Sequence, residues 1–290
     1  MSIAAFMFRR GATKGDRKRN AATAFPDGVV CRANIRYGPE GSDHLLNVYY
    51  PEGTTEALPT IVSIHGGGYV YGSKEIYRRF GMDMARRGFA FVNFNYRLAP
   101  KSKFPAPLAD TNAVLEWVAQ NHRRYHLDPQ RIILIGDSAG AQLASQYAAL
   151  FTNPAYAKYF GLKLPKVEIR AVGLYCGLYD AAARASEPRK GLFLDYLGMD
   201  LPAGDPRLQV LQSITDKYPP TFIMTAHHDF LREEAQPMCD LLTAKSVPAV
   251  CHLYGSEDAK HIGHVFHVNI ILPEAVQCND DAAAFFRQYV

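Results

Sequence analysis

From about residue 59 onward, compact runs of β-branched and aromatic residues alternate with stretches whose apolar positions recur every three or four residues. TIVSIH after Pro59, RIILIG (131–136) and TFIMTA (221–226) have little polar interruption and predict strands buried on both faces. FAFVNFNY (89–96), EIRAVGLYC (168–176) and AVCHLY (249–254) read as further strands. Helices are predicted over Glu75–Arg87, stopping at Gly88, over Pro105–Asn121, over Ala139–Phe151, from about Glu233 to Ala244, and over Pro273–Tyr289. Alternation of this kind predicts an α/β fold with a mostly parallel central sheet and helices on both faces. Ahead of it, Val29–Tyr37 and Leu45–Tyr50 flank the turn residues GPEGSD and predict a hairpin, which adds antiparallel strands at one edge.

One interval breaks the rhythm. Asp180–Lys217 has no clear strand and contains Pro188, Pro202 and Pro206. An excursion of that length is usually functional, often a lid. Together with about residues 1–30 it is expected to form a small cap on a single domain spanning 1–290.

Composition narrows the function classes. In 290 residues, 48% hydrophobic and 21% charged residues exclude a globally disordered chain. A net charge of +4, from 32 basic and 28 acidic residues, is too mild to imply a nucleic-acid partner. Much of the surplus lies in Arg9, Arg10, Lys14, Arg17, Lys18 and Arg19, opposed only by Asp16, and reads as a solvated, partly mobile N-terminus, with a membrane-surface or partner contact as the alternative. The apolar stretch from Ile3 to Phe8 is too short for a signal sequence, and no run reaches the length of a membrane span. The five cysteines (Cys31, Cys176, Cys239, Cys251, Cys278) are scattered and form no CxxC pair, which points to reduced thiols in a cytoplasmic protein.

The chemistry enters at IGDSAG (135–140). Gly136, Ser138 and Gly140 make the pattern Gly-x-Ser-x-Gly, entered from the strand RIILI and left by a small-residue helix. That is the frame of a nucleophile elbow. A serine at so sharp a turn strains its backbone, and side chains two residues to either side would collide, hence the glycines. The helix N-terminus behind it aims free N–H groups at a developing oxyanion. SIHGGGY (63–69) follows another strand, and its glycines can bring N–H groups close to a substrate. The N–H groups of all three glycines, Gly66, Gly67 and Gly68, can converge on an oxyanion, the N–H of Ala139 supplies a further donor, and His65 is read as a brace for the loop.

A general base must lie on a loop beyond a late strand. Histidines after Ser138 are His227, His228, His252, His261, His264 and His267, and the glycine before His264 and its apolar followers single it out over His261. Asp229, just past TFIMTA, is the candidate acid; Asp258 is the runner-up, and Asp137 is expected to point away from the base. Ser, Asp and His then follow in the order used by α/β-hydrolases.

HGGGY (65–69), YRLAP (96–100), GDSAG (136–140), DFLRE (229–233) and GHVFH (263–267) together resemble the hormone-sensitive lipase-like family of bacterial carboxylesterases. The resemblance implies an eight-stranded α/β-hydrolase core with a cap, hydrolysis of short-chain acyl esters, Ser138, Asp229 and His264 as triad, Gly67, Gly68 and Ala139 as oxyanion donors, and no cofactor or metal. It departs from the family at Phe230, where a small residue or proline is usual, at Val265-Phe266, and at Lys101, where glutamate is usual. Three rivals stand beside it: an amide-hydrolysing relative such as an arylformamidase or peptidase, a ligand-binding protein on a hydrolase scaffold, and a zinc enzyme using His261, His264 and His267, whose spacing is not HExxH. The partner expected is a small ester, with no integral membrane association, and with homodimer pairing through AVCHLY if that strand forms a sheet edge.

Overall fold

A computed structural model describes residues 1–186 and 190–290. Eight strands, β1 (Val29–Arg36), β2 (Leu45–Pro51), β3 (Leu58–Ile64), β4 (Ala90–Phe94), β5 (Leu127–Asp137), β6 (Ile169–Tyr175), β7 (Thr221–Ala226) and β8 (Ala249–Tyr254), form one sheet. Its order is β1-β2-β4-β3-β5-β6-β7-β8. Only β2 runs against its neighbours; every pairing from β4 to β8 is parallel. The predicted hairpin is β1–β2, and β8 is an outer strand.

The α-helices are α1 (Ile3–Ala21), α2 (Arg78–Arg86), α3 (Ala106–Asn121), α4 (Ala139–Thr152), α5 (Pro154–Ala157), α6 (Ala181–Ser186), α7 (Gly191–Leu197), α8 (Val210–Ser213), α9 (Ala235–Ala244) and α10 (Pro273–Phe286). The pleat explains the layering. Val62, Ile64, Ile132 and Leu134 pack on one side with α3, α4 and α9, whereas Ile61, Ile133 and Ile135 pack on the other with α2 and α10. Strands β3 and β5, sandwiched between the layers, are the buried apolar runs that stood out in the sequence.

Two expectations need correction. The N-terminal segment is solvated at Arg10, Lys14, Arg17 and Lys18, as expected, but it is not an irregular arm: residues 3–21 form a nineteen-residue helix capped by the Ser2 hydroxyl. Its inward face is made of small and charged residues, so no apolar stripe announced it. The helix expected from Glu75 starts only at Arg78. Lys74 is buried, its N–H donates to Asn95 Oδ1 at 2.8 Å and its carbonyl accepts from Asn93 Nδ2 at 2.7 Å, so the turn before α2 is tied to β4 and the residue that follows it.

Within the excursion 180–217, the described residues form α6, α7, a short 3-10 turn and α8, with no strand. Pro188 lies outside the described residues. Ser2 N–H and Oγ both donate to Asp195 of α7, at 3.0 and 2.7 Å to Oδ2, so the N-terminal helix and the excursion meet. Val29 already belongs to β1, which sets where the N-terminal segment rejoins the sheet. Among the described residues, no helix is long and apolar enough to cross a membrane.

Candidate active site

Ser138, Asp229, His264 and the glycine loop lie beyond the carboxyl ends of the parallel strands β5, β7, β8 and β3. Strand β5 ends at Asp137, and Ser138 turns the chain into α4 with φ 52° and ψ −119°, a conformation rarely adopted by a non-glycine residue. Its N–H donates to the Tyr175 carbonyl at the end of β6, at 2.8 Å, and its carbonyl accepts from Ala141 N–H at 3.1 Å. The flanking glycines are steric requirements. A Cβ at Gly136 would sit 2.1 Å from the Gly140 carbonyl oxygen, and one at Gly140 would sit 2.1 Å from that of Ile64.

His264 and Asp229 arrive from loops beyond β8 and β7. An isolated parallel bridge between His228 and Gly263 holds those loops side by side, and His227 N–H donates to the Tyr254 carbonyl at 2.9 Å. Ser138 Oγ stands 2.9 Å from His264 Nε2, and His264 Nδ1 stands 2.7 Å from Asp229 Oδ1. The carboxylate is fully engaged: Leu231 N–H donates to Oδ1 and the Thr225 hydroxyl to Oδ2, both at 2.9 Å. Burial alone would raise the Asp229 pKa, but the hydrogen bond and charge of His264, with the Leu231 N–H, outweigh it and hold the group below its ordinary value.

The glycine loop faces this constellation. Gly67 has φ +115°, and a Cβ there would lie 2.1 Å from the Tyr71 carbonyl oxygen. Its N–H and that of Gly68 meet no acceptor among the described residues. Gly66 N–H, by contrast, is occupied by Tyr77 Oη at 3.2 Å and Asp137 Oδ1 at 3.1 Å. Asp137 therefore does turn away from the base, as expected, and it does so to anchor the loop, accepting also from the Tyr77 hydroxyl at 2.7 Å. Burial pushes its carboxyl up to about 6, against the hydrogen bond from Tyr77 and the charge of His264. His65 is the brace it was read as: Nδ1 lies 2.7 Å from the Gly66 carbonyl, its ring stacks on Tyr96 at 4.2 Å, and burial lowers its pKa to about 4.

These features match known proteins. The α/β hydrolase fold family matches residues 61–267. The chain belongs to that family. Among relatives, it is 28% identical over 214 residues to a putative α/β hydrolase of Acanthamoeba polyphaga mimivirus, covering 68% of this chain and 59% of that protein, less than two thirds of its length. It is 29% identical over 215 residues to the carboxylesterase NlhH of Mycobacterium tuberculosis, covering 71% and 67%. It is 27% identical over 272 residues to an acetyl esterase of Salmonella choleraesuis, covering 89% and 79%. Esterase B from Lactobacillus rhamnosis superimposes with a TM-score of 0.88 at 25% identity, covering 98% of this chain and 93% of that one. The motif resemblance to the hormone-sensitive lipase-like esterases is thereby borne out.

In this α/β-hydrolase the site opens into a cavity of about 680 Å³. Its floor is Ser138, Ala139, His264 and the glycine loop; its roof is Phe8, Ala12 and Gly15 of α1 with Leu192 and Phe193 of α7. Leu192 reaches close enough to Gly68 that a Cβ there would be 2.6 Å from Cδ1. Phe230, the departure from the family pattern after the acid, is 75% exposed and packs its ring 4.2 Å from that of His264. Lys101, the departure after YRLAP, is an exposed residue paired with Asp43 at 3.4 Å, away from the cavity lining.

The other candidates scatter. His261 is exposed beside Glu274 at 3.4 Å, and Asp258 is exposed. His267 is buried, stacked on Tyr175 at 4.5 Å, with its pKa lowered to about 3 by burial first and by the charges of Arg19 and His264. His261, His264 and His267 thus do not converge. Among the described residues, the one cluster of metal-ligand types is Cys176, Asp229 and His264. There the last two already bond each other, while burial and the Asp229 charge keep the Cys176 thiol well above its ordinary pKa. The sequence reading missed Cys176. It has φ 49°, and its Sγ accepts from Val265 N–H at 3.3 Å, fixing the residue after His264. No spacing pattern signals such a contact.

Proposed function

We propose that this protein is a serine carboxylesterase acting on short-chain acyl esters, with Ser138 as nucleophile, His264 as general base and Asp229 as its orienting acid. The observation that carries the reading is the unbroken chain Ser138 Oγ–His264 Nε2–Asp229, at 2.9 and 2.7 Å, beside a glycine loop with open N–H groups. His264 Nε2 takes the Ser138 proton as Oγ attacks the ester carbonyl, and Asp229 stabilises the imidazolium. The tetrahedral oxyanion is held by the N–H groups of Gly67, Gly68 and Ala139, the last at the open N-terminus of α4. The alcohol leaves with the proton from His264, and water cleaves the acyl-enzyme by the same route. Each oxyanion donor contributes about 3 kcal/mol to the transition state.

Short acyl chains are favoured by the roof. Residues of about 1–30 and 180–217 act as the cap, and Phe8, Leu192 and Phe193 close an apolar space over Ser138. An acetyl esterase among the relatives accords with this size class. The five unpaired thiols suit a reducing cytoplasm, where we place the enzyme. Outer strand β8, with Leu253 55% exposed, is the edge through which two copies would pair.

The test is turnover of p-nitrophenyl acetate, butyrate, octanoate and palmitate by the wild type and by Ser138→Ala. Turnover of the short esters, lost by a factor on the order of 10⁴ or more in the variant, supports the proposal. A folded wild type inert on all four esters overturns it in favour of an amide substrate or a ligand-binding role. A substantially active Ser138→Ala removes Ser138 from the chemistry.

A further inference from the structure

Helix α1 is inverted for a surface helix. Ala5, Arg9, Ala12, Asp16 and Arg19 lie on one face and turn toward the protein. This small and charged face is held by polar contacts. Arg9 donates to the Val70 and Ala99 carbonyls at 2.6 and 3.2 Å. Asp16 accepts from the Tyr71 hydroxyl at 2.8 Å and pairs with Arg19 at 2.8 Å. The opposite stripe is Ile3, Phe6, Met7, Arg10, Lys14 and Arg17, all exposed. Ile3 is 85%, Met7 60% and Phe6 52% exposed.

A surface helix ordinarily buries its apolar stripe and gives its charges to water. One exposed apolar residue needs no explanation, but a contiguous apolar patch marks an interaction site. Here three such residues occupy the first turns of one face. Arg10, Lys14, Arg17 and, beside them, Lys18 continue it with positive charge. The sole acidic residue of α1, Asp16, is turned inward, so the outward face carries no negative charge. None of those four cations meets an acidic partner among the described residues.

We propose that this face of α1 docks on an anionic lipid surface. Ile3, Phe6 and Met7 enter the boundary between headgroups and acyl chains, and the four cations meet the phosphates. A nucleic acid would match the cations and leave the apolar turns in water. A lipid interface offers both environments along one helix face. Phe8, Ala12 and Gly15 of the same helix roof the cavity, so docking sets the lipid against the outer side of the cap.

The experiment is co-sedimentation of the full chain with vesicles of phosphatidylcholine containing phosphatidylglycerol, and with vesicles of phosphatidylcholine alone. The wild type is expected to partition onto the anionic vesicles, less so at high salt and much less onto neutral ones. Two variants, Ile3→Ser/Phe6→Ser/Met7→Ser and Arg10→Gln/Lys14→Gln/Arg17→Gln, are each expected to lower the partition coefficient about tenfold or more, with circular dichroism unchanged. No partition by the wild type, or equal partition by well-folded variants, overturns the proposal. So does a dimer or an RNA complex abolished by the same variants without vesicle binding, which would assign the face to that partner. The readout is partition rather than turnover, so its failure leaves the ester-hydrolase reading standing.

Discussion

Helices α4 and α1 border the same cavity and are held in opposite ways. Every residue of α4 from Ala139 to Leu150 is buried, and the helix grows directly out of the Ser138 turn. In α1 only Ala5 is buried, and side chains donating to backbone carbonyls do much of the anchoring. The chemical end of the site is thus defined by the sheet and its close-packed layers, where a displaced atom strains many neighbours. The α1 part of the roof rests largely on polar contacts outside those layers. This division suits an enzyme whose reacting atoms must stay within a fraction of an ångström while its substrates enter and leave.

The comparison can be sharpened first at the acid. Asp229→Asn is expected to keep the fold and lower kcat on a short ester about 10⁴-fold, because an amide favours the wrong imidazole tautomer. Retained kcat would mean that His264 is oriented by something else. Next is the frame: Gly140→Ala, with its Cβ 2.1 Å from the Ile64 carbonyl oxygen, is expected to cost roughly 3–4 kcal/mol, read as a lowered denaturation midpoint. A stable variant would show that the α4–β3 contact can give.

Asp137 ties the frame to the loop and predicts a pH effect. Its carboxyl is raised from 3.8 to about 6 in the folded state, so the native protein holds that proton more tightly than the unfolded chain. Stability from this group is therefore present at low pH and lost as pH rises from about 4 to above 6, by up to about 3 kcal/mol. Asp229, with its lowered pKa, acts in the opposite sense, contributing stability above the ordinary carboxylate range and losing it as pH falls below. Urea titrations of the wild type and Asp137→Asn across pH 4–7 should differ in slope by the Asp137 part alone. Parallel curves would deny the shift.

The smallest expected effect is on the roof. Arg9→Ala removes donors to the Val70 and Ala99 carbonyls and is expected to destabilise α1 by about 1–2 kcal/mol. Hydrogen exchange should quicken in residues 3–21 and remain unchanged in β5. Equal acceleration in both would dissolve the distinction between frame and roof.

Much of this protein was readable in its order of residues. Runs such as TIVSIH and RIILIG need burial on both faces and so demanded a parallel sheet under two helical layers. Gly136, Ser138 and Gly140 are dictated by a local steric conflict, which short-range sequence expresses directly. That His264 and Asp229 come within reach of Ser138 could be anticipated from which loops leave which strand ends. Tertiary structure alone decided the rest. That α1 forms and turns its apolar residues outward depends on carbonyls of Val70 and Ala99, which lie 61 and 90 positions away from Arg9. That Asp137 clamps Gly66, and that Cys176 seats Val265, are likewise contacts between distant segments, separated by 71 and 89 positions. Periodicity reports what a segment must bury, but a polar contact made across the fold leaves no period behind, because its partner is chosen by space and not by spacing.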